Sequence, residues 1–185
     1  MKPWRPAFEF NIEGYPDEPF MALVESVSPE QCTLVPDAPD TFTSEEGWRL
    51  DGDQADLVHG AVARLKSFGC RAILFVDPDP AAVERAADAG ADGVEIYTGG
   101  YGAAFSRGEP EELLERCAAT ARRAEALGLL VNAGHDLNLE NLPPLVAALP
   151  NLHEASIGHE LTADALDMGW SAAVAAYARA LGGGV

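Results

Sequence analysis

The chain has 185 residues, enough for one domain with a substantial core, and 48% of them are hydrophobic, which excludes a mainly disordered polypeptide. Thirty acidic residues against twelve basic ones give a net charge of −18. That balance excludes nucleic acid and anionic membrane as partners, because both require basic surface. The three cysteines, Cys32, Cys70 and Cys117, lie far apart in apolar runs and read as buried thiols of a reduced compartment. Met1 to Pro6 lacks the apolar stretch of a signal peptide, and no apolar run is long enough to span a bilayer. The expectation is one cytoplasmic domain over residues 1–185.

Strand and helix signals alternate regularly along the chain. Phe8 to Ile12 is a short apolar-rich strand closing on Glu13, and a helical segment runs from Pro19 to Val27. Gln31 to Val35 is a strand that stops at Pro36. Ala38 to Gly52 is a long, polar, Pro- and Gly-punctuated loop, a kind of segment that often carries function. Asp53 to Phe68 has helical spacing and closes on Gly69. Arg71 to Val76 is a continuous apolar strand, after which Asp79 caps a helix from Pro80 to Ala89. Gly93 to Tyr97 is the next strand, and Thr98 to Gly102, with three glycines, reads as a flexible turn.

Glu109 to Leu127 is the longest helix, with acids in its first turn and arginines later. A strand from Leu129 to Ala133 follows, then a helix over Leu139 to Leu149 and a strand over Glu154 to Ile157. Helices over Thr162 to Met168 and Trp170 to Leu181 end the chain. Short, uniformly apolar strands each followed by a helix imply a parallel α/β sheet covered by helices. Six βα units are present where a closed TIM barrel needs eight, so the expected fold is an incomplete, TIM-barrel-like one.

Two strand ends carry the chemistry. Val131 to Asn138 leaves its strand through Gly134-His135, and Ala155 to His159 leaves through Gly158-His159. In parallel α/β folds ligands collect at the carboxyl ends of strands, so consecutive Gly-His ends suggest a phosphate or oxyanion site. Glu95 sits inside an apolar strand, where a carboxyl needs a partner or a purpose. His59 belongs to a helical surface pattern and reads as structural. His153 precedes the last strand on its amino side, which removes it from a three-histidine metal site with His135 and His159. Asp77 reads as a cap for the helix after it.

Several segments in register resemble the pyridoxine 5′-phosphate synthase family. They are Phe10-Asn11-Ile12-Glu13, Cys32 to Pro36, Thr43-Ser44-Glu45 with Gly47, Val94 to Gly99 with Tyr101, Leu129 to Asn138, His153-Glu154 and Ser156 to His159. The resemblance covers nearly all of the chain from Ala7 onward. It implies an enzyme of vitamin B6 biosynthesis, a transferase that condenses 1-deoxy-D-xylulose 5-phosphate with 3-amino-2-oxopropyl phosphate. The product is pyridoxine 5′-phosphate, with release of phosphate and water and no metal or organic cofactor.

On the same resemblance Glu13 is a catalytic acid/base, His135 the proton donor and Glu95 an electrostatic support for the reacting centre. Thr43 contacts the deoxyxylulose phosphate, Gly158 and His159 grip the aminooxopropyl phosphate, and Asp136 is a further substrate-binding position, next to a phosphate site. The family's first two βα units, with an Asn-x-Asp-His strand and a His-x-Arg strand end, have no counterpart, so open strand edges and little turnover by the isolated polypeptide are expected. Smaller departures are Asp136 in place of glycine, Tyr97 in place of histidine, and the acids Glu160 and Asp164. They leave a non-catalytic phosphate-binding or regulatory relative as the alternative. Partners are then small phosphorylated substrates and further copies of the chain, associating as a homo-oligomer or through the open edges.

Overall fold

The computed structural model describes residues 8–37 and 46–183, and Thr43 lies outside them. Strands β1 (Asn11–Gly14), β2 (Gln31–Leu34), β3 (Arg71–Val76), β4 (Gly93–Tyr97), β5 (Leu130–Gly134) and β6 (Leu152–Ser156) form one parallel sheet in chain order. Among the described residues eight helices lie between and after them: α1 (Glu18–Val27), α2 (Gly52–Ser67), α3 (Pro80–Asp88), α4 (Gly99–Ser106), α5 (Glu111–Ala126), α6 (Leu142–Ala148), α7 (His159–Met168) and α8 (Trp170–Ala180). Parallel neighbours joined by helical crossovers stack in sequence because each crossover turns the same way. Gln31 Nε2 on β2 donates to Glu154 Oε2 on β6 at 3.1 Å, although three strands lie between them. The sheet is therefore curled, an incomplete barrel of the TIM type.

The two faces of this half-barrel differ in chemistry because side chains alternate along each strand. Cys32, Leu34, Ala72, Leu74, Val76, Val94, Ile96, Val131 and Ala133 point outward into the main apolar core beneath the helices. The alternate positions combine the apolar Ile73 and Phe75 of β3 with the polar Thr33, Glu95 and Asn132, all fully or almost fully buried. The helices begin where the chain supplies caps. The Asp17 carboxylate accepts from Phe20 N at 2.8 Å and Asp79 from Ala81 N at 3.0 Å, each with a proline in the first helical turn. Among the described residues, no helix is long and apolar enough to cross a membrane.

Four local readings are corrected. Gly99–Ser106 is helix α4, not a flexible turn. Its glycines serve close approach: a β-carbon on Gly102 would press on Asp136, and one on Gly99 would strike the Tyr97 ring. The helix expected over Leu139 to Leu149 is shortened to α6, because Asn138 Oδ1 accepts from Glu140 N and Asn141 N in a side-chain turn ahead of it. His153 falls within β6, not before it, and is exposed. Asp77 does not cap α3; its carboxylate accepts from Gly47 N at 3.1 Å and ties the preceding loop segment to the end of β3.

Candidate active site

A cavity of about 360 Å³ opens at the carboxyl ends of β1, β4, β5 and β6. Glu13, Glu95, His135, Asp136, Gly158 and His159 all line it, together with Leu137, Ser156, Ile157 and Glu160. Every site residue proposed from the sequence within the described region thus reaches one place. The strand order explains this: parallel strands bring all their carboxyl ends to the same rim. Among the described residues, no lysine or arginine lines the cavity, while four carboxylates do.

Glu95 is the deepest acid, 2% exposed on β4. Burial pushes its carboxyl up to about 8, Glu13 and Glu154 push in the same direction, and hydrogen bonds from Ser156 and Thr33 pull it partly back. Thr33 Oγ1 lies 3.4 Å from Glu95 Oε2, and Asn11 Nδ2 donates to the same hydroxyl at 3.1 Å. Gly134 makes room for this carboxyl, since a β-carbon there would overlap Glu95 Oε1. Glu13 keeps an exposed face toward the cavity, yet the surrounding protein desolvates its carboxyl enough to raise it above the usual range. Two acids with raised proton affinity beside an imidazole can give and take protons near neutral pH.

His135 and Asp136 form the sharp exit from β5, both in the left-handed region, with φ of 89° and 55°. Two consecutive non-glycine residues there require outside restraint. The His135 ring packs edge-on against Tyr97, with centroids 5.1 Å apart, and against Phe75 at 5.6 Å. Asn141 Nδ2 donates to Asp136 O at 2.8 Å, Asn138 N donates to Asn141 Oδ1 at 2.9 Å, and the buried Tyr101 hydroxyl donates to Asn141 O at 2.7 Å. Helix α4 is therefore the clamp on the histidine loop. Across the cavity, Gly158 precedes the first residue of α7, His159, so the amino end of that helix faces the opening.

Sequence reasoning assigned no role to Thr33 and Ser156, the two hydroxyls that partner Glu95, or to Tyr97 as the ring against His135. For the hydroxyls the sequence shows only polar residues within strands, and the curl of the sheet supplies their partner. For Tyr97 only the fold supplies the contact. Among the described residues, no three His, Cys, Asp or Glu side chains are grouped closely enough to hold a metal ion.

The model of the family described as pyridoxal phosphate biosynthesis protein PdxJ matches residues 5–183. The pyridoxine 5′-phosphate synthase of Mesorhizobium japonicum is 52% identical over 178 residues, covering 96% of this chain and 72% of that protein. The enzyme of the same name from Brucella anthropi is 51% identical over 179 residues, covering 95% and 72%. A solved structure of the Amycolatopsis orientalis BexX/CysO complex superposes with a TM-score of 0.59 at 16% identity, covering 94% of this chain and 67% of that one, a likeness of fold alone. On the family match and the identity to these relatives, the chain belongs to the pyridoxal phosphate biosynthesis protein PdxJ family.

Proposed function

We propose that the chain carries the site of the reaction named for its relatives, forming pyridoxine 5′-phosphate from 1-deoxy-D-xylulose 5-phosphate and 3-amino-2-oxopropyl phosphate, with little turnover by the isolated polypeptide. The observation that carries the reading is a single cavity holding Glu13, Glu95 and His135, with both carboxyls raised in proton affinity. Imine formation, dehydration and ring closure are successive proton transfers between groups held in register. Glu13, nearer the solvent, is the acid/base that cycles its proton. His135 delivers a proton to the departing oxygen. Glu95, mostly protonated at neutral pH, offers a hydrogen bond without adding a full negative charge. Gly158, His159 and the start of α7 receive one phosphate, with Asp136 at its side, and Thr43 serves the second substrate.

This chemistry needs no cofactor, and we place it in the cytoplasm, in a homo-oligomer. The decisive assay measures pyridoxine 5′-phosphate from both substrates, with the parent chain beside Glu13→Gln and His135→Asn. Each variant should fall by roughly 100-fold or more, the usual contribution of a positioned proton-transfer group. Equal traces from all three proteins would remove both residues from catalysis.

The absence of Lys and Arg from the described lining and the presence of Asp136 and Glu160 beside the phosphate cradle favour one second reading, a phosphate-ligand binder without turnover. Inorganic phosphate would then raise the melting temperature while no product forms.

A further inference from the structure

Thr98 follows the last residue of β4 and occupies the cap position of α4, yet its side chain makes no cap hydrogen bond to that helix. The ordinary use of a threonine at this place is therefore not the one observed. Its hydroxyl turns to the neighbouring strand instead, 2.7 Å from Gly134 O and 2.6 Å from His135 O. The Thr98 backbone N also donates to Gly134 O at 2.8 Å. The residue is fully buried and is not among those lining the cavity. One hydroxyl proton shared between consecutive carbonyls fixes two peptide planes at once. Those planes flank His135, the first residue of the strained left-handed pair.

We propose that Thr98 is a positioning residue, setting the backbone and hence the imidazole direction of His135 without touching substrate. The inference rests on the proton-donor role proposed for His135. Tyr97, the adjacent residue, packs its ring on the same imidazole, so two consecutive residues hold the histidine, one at its backbone and one at its ring. A 1 Å misplacement of a catalytic group can cost about 100-fold in rate. A purely structural hydroxyl would change stability and leave the imidazole's titration alone.

The test compares Thr98→Val, which keeps shape and loses the hydroxyl, with Thr98→Ser, which restores it. In steady-state assays Thr98→Val should lose about 10- to 100-fold in kcat with KM changed less than about threefold, and Thr98→Ser should recover most of the loss. Independently, the four histidines permit imidazole NMR titration of the full chain. The His135 signals should shift their titration midpoint in Thr98→Val and return in Thr98→Ser, while those of His59 and His153 stay in place. An unmoved His135 titration in a folded Thr98→Val protein overturns the proposal, whatever the assay reads. If the parent chain makes no product, the catalytic reading fails, and the NMR arm still decides whether Thr98 sets His135. Should Thr98→Val not fold, a Thr98→Ser protein with parental kcat and titration supports the proposal, and one with a displaced His135 titration opposes it.

Discussion

The carboxyl group of Glu95 fills the space that a side chain on Gly134 would need. The two residues sit on adjacent strands, where Glu95 pairs in register with Asn132, two residues before the glycine. A missing β-carbon on β5 is thus what admits an acid from β4 to the floor of the cavity. Gly134→Ala should force Glu95 aside and cost about 1–3 kcal/mol, as overpacking of a tight interior does. Thermal unfolding with and without the Glu95→Ala background measures it: the penalty should shrink sharply once the carboxyl is gone. An equal penalty in both backgrounds would place the clash elsewhere.

Glu95 also predicts a pH dependence. Its folded carboxyl is raised from an ordinary value near 4.5 to about 8, first by burial and then by Glu13. The folded state binds this proton more tightly than the unfolded one, so the stabilisation is complete below pH 4.5 and is lost as pH rises toward 8. Glu95→Gln, which cannot ionise, should flatten that decline, a difference on the order of a few kcal/mol at the alkaline end. Denaturant midpoints across the window decide the matter. Parallel slopes for parent and variant would show that another group carries the dependence.

Asp136 places a negative charge beside the amino end of α7, where an anionic ligand is proposed to sit. Asparagine tolerates the same left-handed backbone, so Asp136→Asn removes charge while keeping the turn. Affinity for inorganic phosphate should improve roughly three- to tenfold at low salt, with less gain as salt screens the field. Calorimetric titration at two ionic strengths reads both effects. An unchanged affinity would mean that the phosphate binds away from this residue.

The three cysteines are buried, and burial lifts Cys70 and Cys117 to about 11 and Cys32 higher still. Only thiolate reacts, so an aromatic disulfide reagent at mildly alkaline pH should label none of them in the native protein. Denaturant should expose all three. Rapid labelling of one thiol without unfolding would reveal local opening around that strand or helix.

Much of the fold was legible because its determinants are local and repeated. Uniform apolar strands such as Arg71 to Val76, closed by Asp79-Pro80 caps, can form little else than parallel strands under helices. The cavity was legible through strand ends, since Gly134-His135 and Gly158-His159 announce close backbone approach. Helix α4 was not, because Gly99, Gly100 and Gly102 lower helix propensity, and the contacts that offset it, Tyr101 with Asn141 and Gly102 with Asp136, are made only in the fold. The partnership of Thr33 and Ser156 with Glu95 was hidden for another reason. It depends on the curl of the sheet, a property of all six strands together.

On their outer sides, β1 and β6 have no hydrogen-bonded strand neighbour among the described residues. Bare rows of amide and carbonyl groups are templates for aggregation when two copies meet edge to edge. The net charge of −18 opposes such non-specific edge contacts by long-range repulsion, which dissolved salt weakens. Storage in dilute, low-salt buffer therefore preserves dispersed molecules, whereas concentrated brine invites clumping. The acidic coat acts here as a colloidal guard over unfinished seams.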